Sequence, residues 1–160
     1  MTARVAVYDT GMLIALADRK AKALRLHEGL RDTPHRALVL GPVLAQTWRP
    51  HAALVYALSA ILRDCTVPQA RNSPPPMRTA QRSLECLACA TPPDLADWRR
   101  VGAALGKAAL PSRKRPDAVD AWVALAAAKH GKAVVFTSDP DDITAYLDAL
   151  EAADVRVVPV

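Results

Sequence analysis

The chain predicts an α/β protein: a three-layer α/β/α sandwich with a parallel central sheet. Three observations lead there. The apolar runs Val5-Ala-Val-Tyr8, Ala37-Leu-Val-Leu40 and Ala133-Val-Val-Phe136 are unbroken by polar residues, as in strands buried on both faces. Longer stretches with helical spacing separate them, the alternation that gives a parallel sheet covered by helices. Two of the runs lead into a carboxylate, Asp9 and Asp139, and in open parallel sheets the carboxyl ends of the strands form the ligand crevice. With 160 residues, 51% of them hydrophobic, a single domain spanning 1–160 buries a sizeable core.

The elements follow in order. Strand Val5–Tyr8 leads through the turn Asp9-Thr-Gly11 to a helix from Met12 to about Ala17, which Asp18-Arg-Lys20 interrupts. Ala23, Leu24, Leu26 and Leu30 predict a second, surface helix from Ala21 to Leu30. Strand Ala37–Leu40 ends at Gly41-Pro42, and the proline suits the first turn of a helix running to Trp48. His51 to Arg63 is a further helix with Leu54, Val55, Leu58, Ile61 and Leu62 on one face, and Cys65-Thr-Val67 a third strand. The pattern then fails. The segment at about 68–93 holds six of the 13 prolines, including Pro74-Pro-Pro76, and one short helical run, Ala80 to Ala90, without an amphipathic stripe. Asp94 caps a helix reaching Leu110, with Leu95, Trp98, Val101 and Leu105 on one side. Pro111-Ser-Arg-Lys-Arg-Pro116 reads as an exposed basic loop before a helix from Asp117 to His130, which Gly131 stops. Strand Ala133–Thr137, a helix from Asp141 or Asp142 to about Ala152, and strand Val155–Val158 complete the chain.

Composition narrows the function classes. The net charge of +5 and pI near 9.4 suit a polyanionic partner such as nucleic acid. Met1 to Leu16 carries Asp9 in its middle and lacks a long apolar core, so no targeting leader is expected there, and no apolar run is long enough to cross a bilayer. The expectation is a cytoplasmic protein without a membrane partner. Three cysteines are an odd number, and a cytoplasmic chain needs no disulfide. Cys86 and Cys89 form a C-x-x-C with no second pair and no His at zinc-ligand spacing, so they read as buried helix cysteines, beside Cys65.

The acids carry the chemistry. Asp9 and Asp139 each follow a strand; Asp117 and Asp120 lie three apart, near one turn of helix, and face roughly the same way. Each has a plain structural use, since Asp caps helices well and favours their first turn. Asp117 after Pro116 reads as such a cap, which leaves Asp120, among apolar neighbours, as a charge in need of a partner. In Thr137-Ser-Asp-Pro-Asp-Asp142 three acids follow one strand although one cap needs one acid, and Thr137 and Ser138 add hydroxyls that can hold a water or a phosphate. Acids brought together repel one another unless a divalent cation sits among them. An all-oxygen donor set selects Mg2+ or Mn2+ rather than zinc, and the substrate that suits such a site is a phosphodiester.

These same stretches carry a resemblance. Val5-Ala-Val-Tyr-Asp9-Thr-Gly-Met-Leu-Ile-Ala-Leu16, Asp120-Ala-Trp-Val-Ala-Leu-Ala-Ala-Ala-Lys-His-Gly131 and Val135-Phe-Thr-Ser-Asp139-Pro-Asp-Asp142-Ile resemble the opening, third and fourth motifs of PIN-domain ribonucleases, most closely the VapC-like toxins, in order and spacing. The resemblance covers most of the chain outside 68–93. It implies a PIN-like α/β/α fold and Mg2+- or Mn2+-dependent cleavage of RNA. Asp9, Asp120 and Asp139 match the catalytic, metal-binding acids, with Asp142 a further ligand and Asp117, Thr137 and Ser138 auxiliary. It further implies a homodimer and a small antitoxin protein as partner. One position departs: where the family places a Glu in the helix after the second strand, this chain has Gln46, which removes a negative charge from the site. Arg49, Arg113 and Arg115, with Arg99 and Arg100, are the candidates to meet RNA phosphates.

Two rival readings differ in class. A PIN-like domain weakened at Gln46 serves as an RNA-binding or protein-interaction module. A phosphoryl-transfer enzyme with Asp9 as nucleophile expects a Lys near the site and a second acid two residues on, where this chain has Gly11.

Overall fold

The computed structural model describes residues 4–33, 36–68 and 93–160. The predicted helical run at Ala80–Ala90, the Cys86–Cys89 pair and Pro74–Pro76 lie outside the described residues. Within them the chain forms strands β1 (Val5–Tyr8), β2 (Ala37–Val39), β3 (Cys65–Thr66), β4 (Ala133–Thr137) and β5 (Val155–Pro159). The helices are α1 (Thr10–Ala17), α2 (Ala21–Arg31), α3 (Gly41–Thr47), α4 (Ala52–Leu62), α5 (Leu95–Lys107), α6 (Ala118–Lys129) and α7 (Pro140–Ala149).

The strands make one sheet in the order β3-β2-β1-β4-β5, and every pairing is parallel. Parallel crossovers turn right-handed, so a chain that runs outward from β1 to β3 and then from β4 to β5 lays its helices on opposite faces. Accordingly α1 packs with α2, α3 and α4, while α5, α6 and α7 pack together, giving the three layers. The strands are buried as their unbroken apolar runs require: Val7, Tyr8, Val39, Ala133 and Val135 have no more than trace exposure.

This topology fixes the crevice. The chain reverses its direction of travel between β1 and β4, which are neighbours in register from Val5 opposite Ala133 to Tyr8 opposite Phe136. The residues that follow, Asp9 and Thr137, therefore emerge side by side at the switch point where open α/β sheets bind ligands. The Asp9 amide continues the ladder one step further, donating to the Phe136 carbonyl at 3.1 Å.

Three sequence readings need correction. The helix capped by Asp94 does not reach Leu110: α5 ends at Lys107, three residues short. Leu95 and Trp98 do not face the core: they are 64% and 47% exposed, and α5 buries Asp97, Val101 and Ala104 instead. The last helix ends at Ala149, three residues short of Ala152, because Glu151 turns into the left-handed region at φ 57°. Gly131 closes α6 at φ 73°, as a glycine after a helix does. Cys65 is a buried free thiol. Among the described residues no helix is long and apolar enough to cross a membrane.

Candidate active site

Asp9 has little freedom. It is the N-cap of α1, its Oδ1 accepting from the Thr10 amide at 2.6 Å, and its Oδ2 accepts from the buried Thr137 hydroxyl at 2.7 Å. The same Thr137 oxygen accepts from the Asp139 amide at 2.9 Å, so one hydroxyl ties the ends of β1 and β4 together. Gly11 allows the approach. A Cβ there would stand 2.1 Å from the Ser138 Oγ, far inside contact, so only glycine lets the first turn of α1 lie against the loop after β4. The capping reading of Asp9 is correct, and the cap sits at the crevice.

From the other face α6 brings two acids. Asp117 caps the helix, its Oδ1 accepting from the Val119 amide at 2.7 Å, and its own amide donates to the Tyr146 hydroxyl of α7 at 2.9 Å. Gln46 of α3 joins the faces: its Oε1 accepts from the Thr10 hydroxyl at 2.7 Å, and its Nε2 donates to Asp117 Oδ2 at 3.2 Å. The amide thus serves as a strut between α1 and α6. Asp120 stands one turn into α6, within electrostatic reach of Asp9, Asp117, Asp142 and Asp139. Burial first, then those four like charges, push its carboxyl up to about 7. Asp9 is also raised, chiefly by burial and in part by Asp117, against the lowering effect of its hydrogen bonds from Thr137, Thr10 and Gly11.

The loop after β4 supplies the rest. Asp139 takes the N-cap position of α7 yet makes no side-chain capping bond; its Oδ1 instead accepts from Lys114 Nζ at 2.6 Å. Lys114 also donates to Asp142 Oδ2 at 2.8 Å. These two carboxylates raise the Lys114 ammonium above its ordinary range. Asp142 is 7% exposed, and its Oδ1 is buried with no hydrogen-bond partner. A buried carboxylate oxygen left so is costly and asks for a cation.

The fold therefore assembles Asp9, Gln46, Asp117, Asp120, Thr137, Ser138, Asp139 and Asp142 around one edge of the sheet. The arginines do not join them. Arg49 lies beyond the end of α3, donating to the carbonyls of Trp48 at 2.7 Å and Ala45 at 3.3 Å, and Arg113 and Arg115 are exposed on the loop before α6. Reading the sequence missed two participants. Lys114 was legible only as one of three basic residues in a row, with nothing to mark it as the one that pairs with the acids. Tyr146 lies four residues beyond Asp142, the one available signal that it shares the helix face toward the acids.

The donor set is carboxylate, amide and hydroxyl oxygen, which suits a hard divalent cation, and the unpartnered Asp142 Oδ1 fits the same ligand. Among the described residues no three acid, His or Cys side chains stand as a ready-made cage, and Thr10, Thr137, Gln46 and Lys114 engage several of the carboxylate oxygens. Compared with family models, with curated proteins and with solved structures, the chain matches none.

Proposed function

We propose that this protein is a metal-dependent endoribonuclease of the PIN-domain type, a VapC-like toxin, hydrolysing RNA phosphodiesters. One observation carries the reading: Asp120, at the first turn of a helix, is pushed up to about 7 by burial and four surrounding acids, while Asp142 keeps a buried oxygen without a partner. Such an excess of negative charge is costly to fold and suits a site completed by a cation. Asp9, Asp120, Asp139 and Asp142 would hold Mg2+ or Mn2+, with Asp117 and Thr137 orienting them. A divalent ion there supplies activation of water at neutral pH and stabilisation of the leaving oxygen. Water adds to phosphorus as the 3′-oxygen departs, which leaves a 5′-phosphate and a 3′-hydroxyl.

RNA as the substrate is supported by the +5 charge and by the exposed Arg113 and Arg115, placed on the loop whose Lys114 reaches the acids. The same reading includes a second copy of the chain and a small antitoxin as partners. Exposed Ile14, Trp48 and Tyr56, on or beside α1 and the two helices α3 and α4 that pack against it, supply apolar area for such contacts.

The test is cleavage of a labelled RNA pool with Mn2+, with Mg2+ and with chelator, alongside Asp9→Asn and Asp120→Asn. The expected result is cutting that needs the ion, yields 5′-phosphate ends, and disappears in both variants. A second reading is favoured by Gln46, whose amide is taken up by Thr10 and Asp117: a weakened domain that binds RNA without cutting it. Retention of RNA by a folded protein that cuts under no condition would select it.

A further inference from the structure

Among these acids sits one lysine. We infer that Lys114 is a built-in competitor for the divalent cation, its ammonium holding Asp139 and Asp142 until the ion displaces it. The inference rests on the cation-dependent site proposed above and adds how that site is controlled.

The geometry is specific. Lys114 Nζ lies 2.6 Å from Asp139 Oδ1 and 2.8 Å from Asp142 Oδ2, charge-assisted hydrogen bonds to two of the proposed ligands. All three adjacent cations are exposed, and Lys114 is the one whose charge pairs with these acids. That one is a lysine, a compact charge on a flexible stem, which can leave by rotating its own side chain; a guanidinium fork would grip the carboxylates bidentately. Lys114 is 40% exposed and belongs to a loop between α5 and α6, so its departure breaks no secondary structure. Nor does it complete the site. Asp142 Oδ1 remains buried without a partner while Lys114 holds Oδ2. An ammonium in place of a doubly charged ion thus balances part of the negative charge and leaves a stronger cation something to gain.

Two consequences follow. The apparent affinity for divalent ions is lowered, because each binding event must first release Lys114. The released ammonium then stands with Arg113 and Arg115 on one exposed loop, adding a third cation for phosphate when the site is loaded.

The experiment is Mn2+ binding, read from the electron paramagnetic resonance signal of the free ion, on the purified chain and on Lys114→Met, Lys114→Arg, Arg113→Met and Asp142→Asn. Circular dichroism on each variant checks the fold. Lys114→Met should bind Mn2+ about tenfold more tightly, the scale of two exposed ion pairs lost together. Arg113→Met, which removes the same charge from the same loop, should change binding by no more than about twofold at physiological salt. Lys114→Arg should bind no more tightly than the parent. Unchanged or weaker binding by Lys114→Met, with Asp142→Asn impaired, overturns the competitor while leaving the site standing. Absence of Mn2+ binding in the parent and in Lys114→Met alike overturns the site and the competitor together.

Discussion

At the C-terminal end of α6, Lys129 pairs with Asp97; at its N-terminal end, Asp117 and Asp120 gather with Asp9, Asp139 and Asp142, and Lys114 pairs with the last two. Both ends bury carboxylate, with opposite results. Burial alone would raise Asp97, but the Lys129 ammonium at 2.7 Å and the Asp94 amide outweigh it and hold the carboxyl below its usual range. At the other end burial and like charges act in the same direction, and Asp120 rises to about 7. The helix dipole favours an acid in the first turn by at most about 1 kcal/mol, too little to offset them. The same helix therefore shows that this fold can balance a buried acid, and that it leaves the acids of the switch point unbalanced. Buried charge that serves structure is paired; charge that serves a ligand waits for the ligand.

The largest effect that separates the ends is on cleavage. Asp120→Asn should lower metal-dependent RNA cleavage at least about a hundredfold, as loss of a ligand or its support does. Asp97→Asn should leave cleavage by the folded protein unchanged. Equal losses in the two variants would show that the acids do not differ in kind, and the contrast would fail.

Stability should reverse the ranking. Asp97→Ala removes one half of the α5 capping box, the bond its carboxylate accepts from the Asp94 amide at 3.2 Å, keeps the other, from its own amide to Asp94 Oδ1, and leaves Lys129 unpaired and 25% exposed. Loss of half the box costs less than the about 1 kcal/mol of a whole cap, and a largely buried cation without its partner costs about 1–3 kcal/mol. Denaturant unfolding should accordingly show a loss of roughly 1–3 kcal/mol. Because Asp97 is lowered in the fold, its contribution is present above the ordinary carboxylate value of 3.8 and fades as pH falls through its folded value. A variant as stable as its parent would mean that the balanced end is an ornament.

The layered fold was legible because its signals are local. Unbroken apolar runs mark strands buried on both faces, and the acids at Asp9 and Asp139 follow β1 and β4, which the order β2-β1-β4 makes neighbours. Gln46 was legible as an amide in place of an acid, though its use as a strut depends on Thr10 and Asp117 meeting it from two other elements. The face of α5 was misread for a physical reason. Asp97, Val101 and Ala104 share the buried side at helical spacing, but a carboxylate in that row disguises it, and the lysine that neutralises Asp97 lies 32 residues away. Trp98, 47% exposed, keeps its ring against Trp122 at 5.2 Å between centroids, so it packs without facing inward. Lys114 escaped for a like cause: which way a loop side chain turns is decided by charges that the topology delivers, not by its neighbours in sequence.

The pH dependence of the two ends sharpens the contrast next. An acid raised in the fold binds its proton more tightly there than in the unfolded chain, so between 3.8 and about 7 the native state holds more protons and stability falls as pH rises. Without divalent ions, Asp120→Asn should therefore gain about 1–2 kcal/mol at pH 8, a figure reduced for the water that reaches the group, and little at pH 4. Added Mn2+ should erase the difference by stabilising the parent. The sign is opposite to that for Asp97, where acidification is what costs stability. A pH profile of the melting temperature for the parent and both variants reads the two slopes in one experiment.

The smallest effect concerns the strut. Gln46→Glu keeps an oxygen for the Thr10 hydroxyl but exchanges the donor now 3.2 Å from Asp117 for a sixth negative charge. At a distance of this order the repulsion is about 1 kcal/mol even at the dielectric of bulk water, so the metal-free variant should melt lower. With Mn2+ the order should invert, because the added carboxylate increases the field at the ion, and tighter binding stabilises the native state by linkage. Gln46→Leu is the control, removing both hydrogen bonds without adding charge, and it should lose stability with and without the ion. If Glu and Leu behaved alike, Gln46 would act through shape alone. If they part company on adding Mn2+, the unbalanced end of α6 is set by charge count, and Gln46 is where this chain holds that count at five acids while keeping them in place.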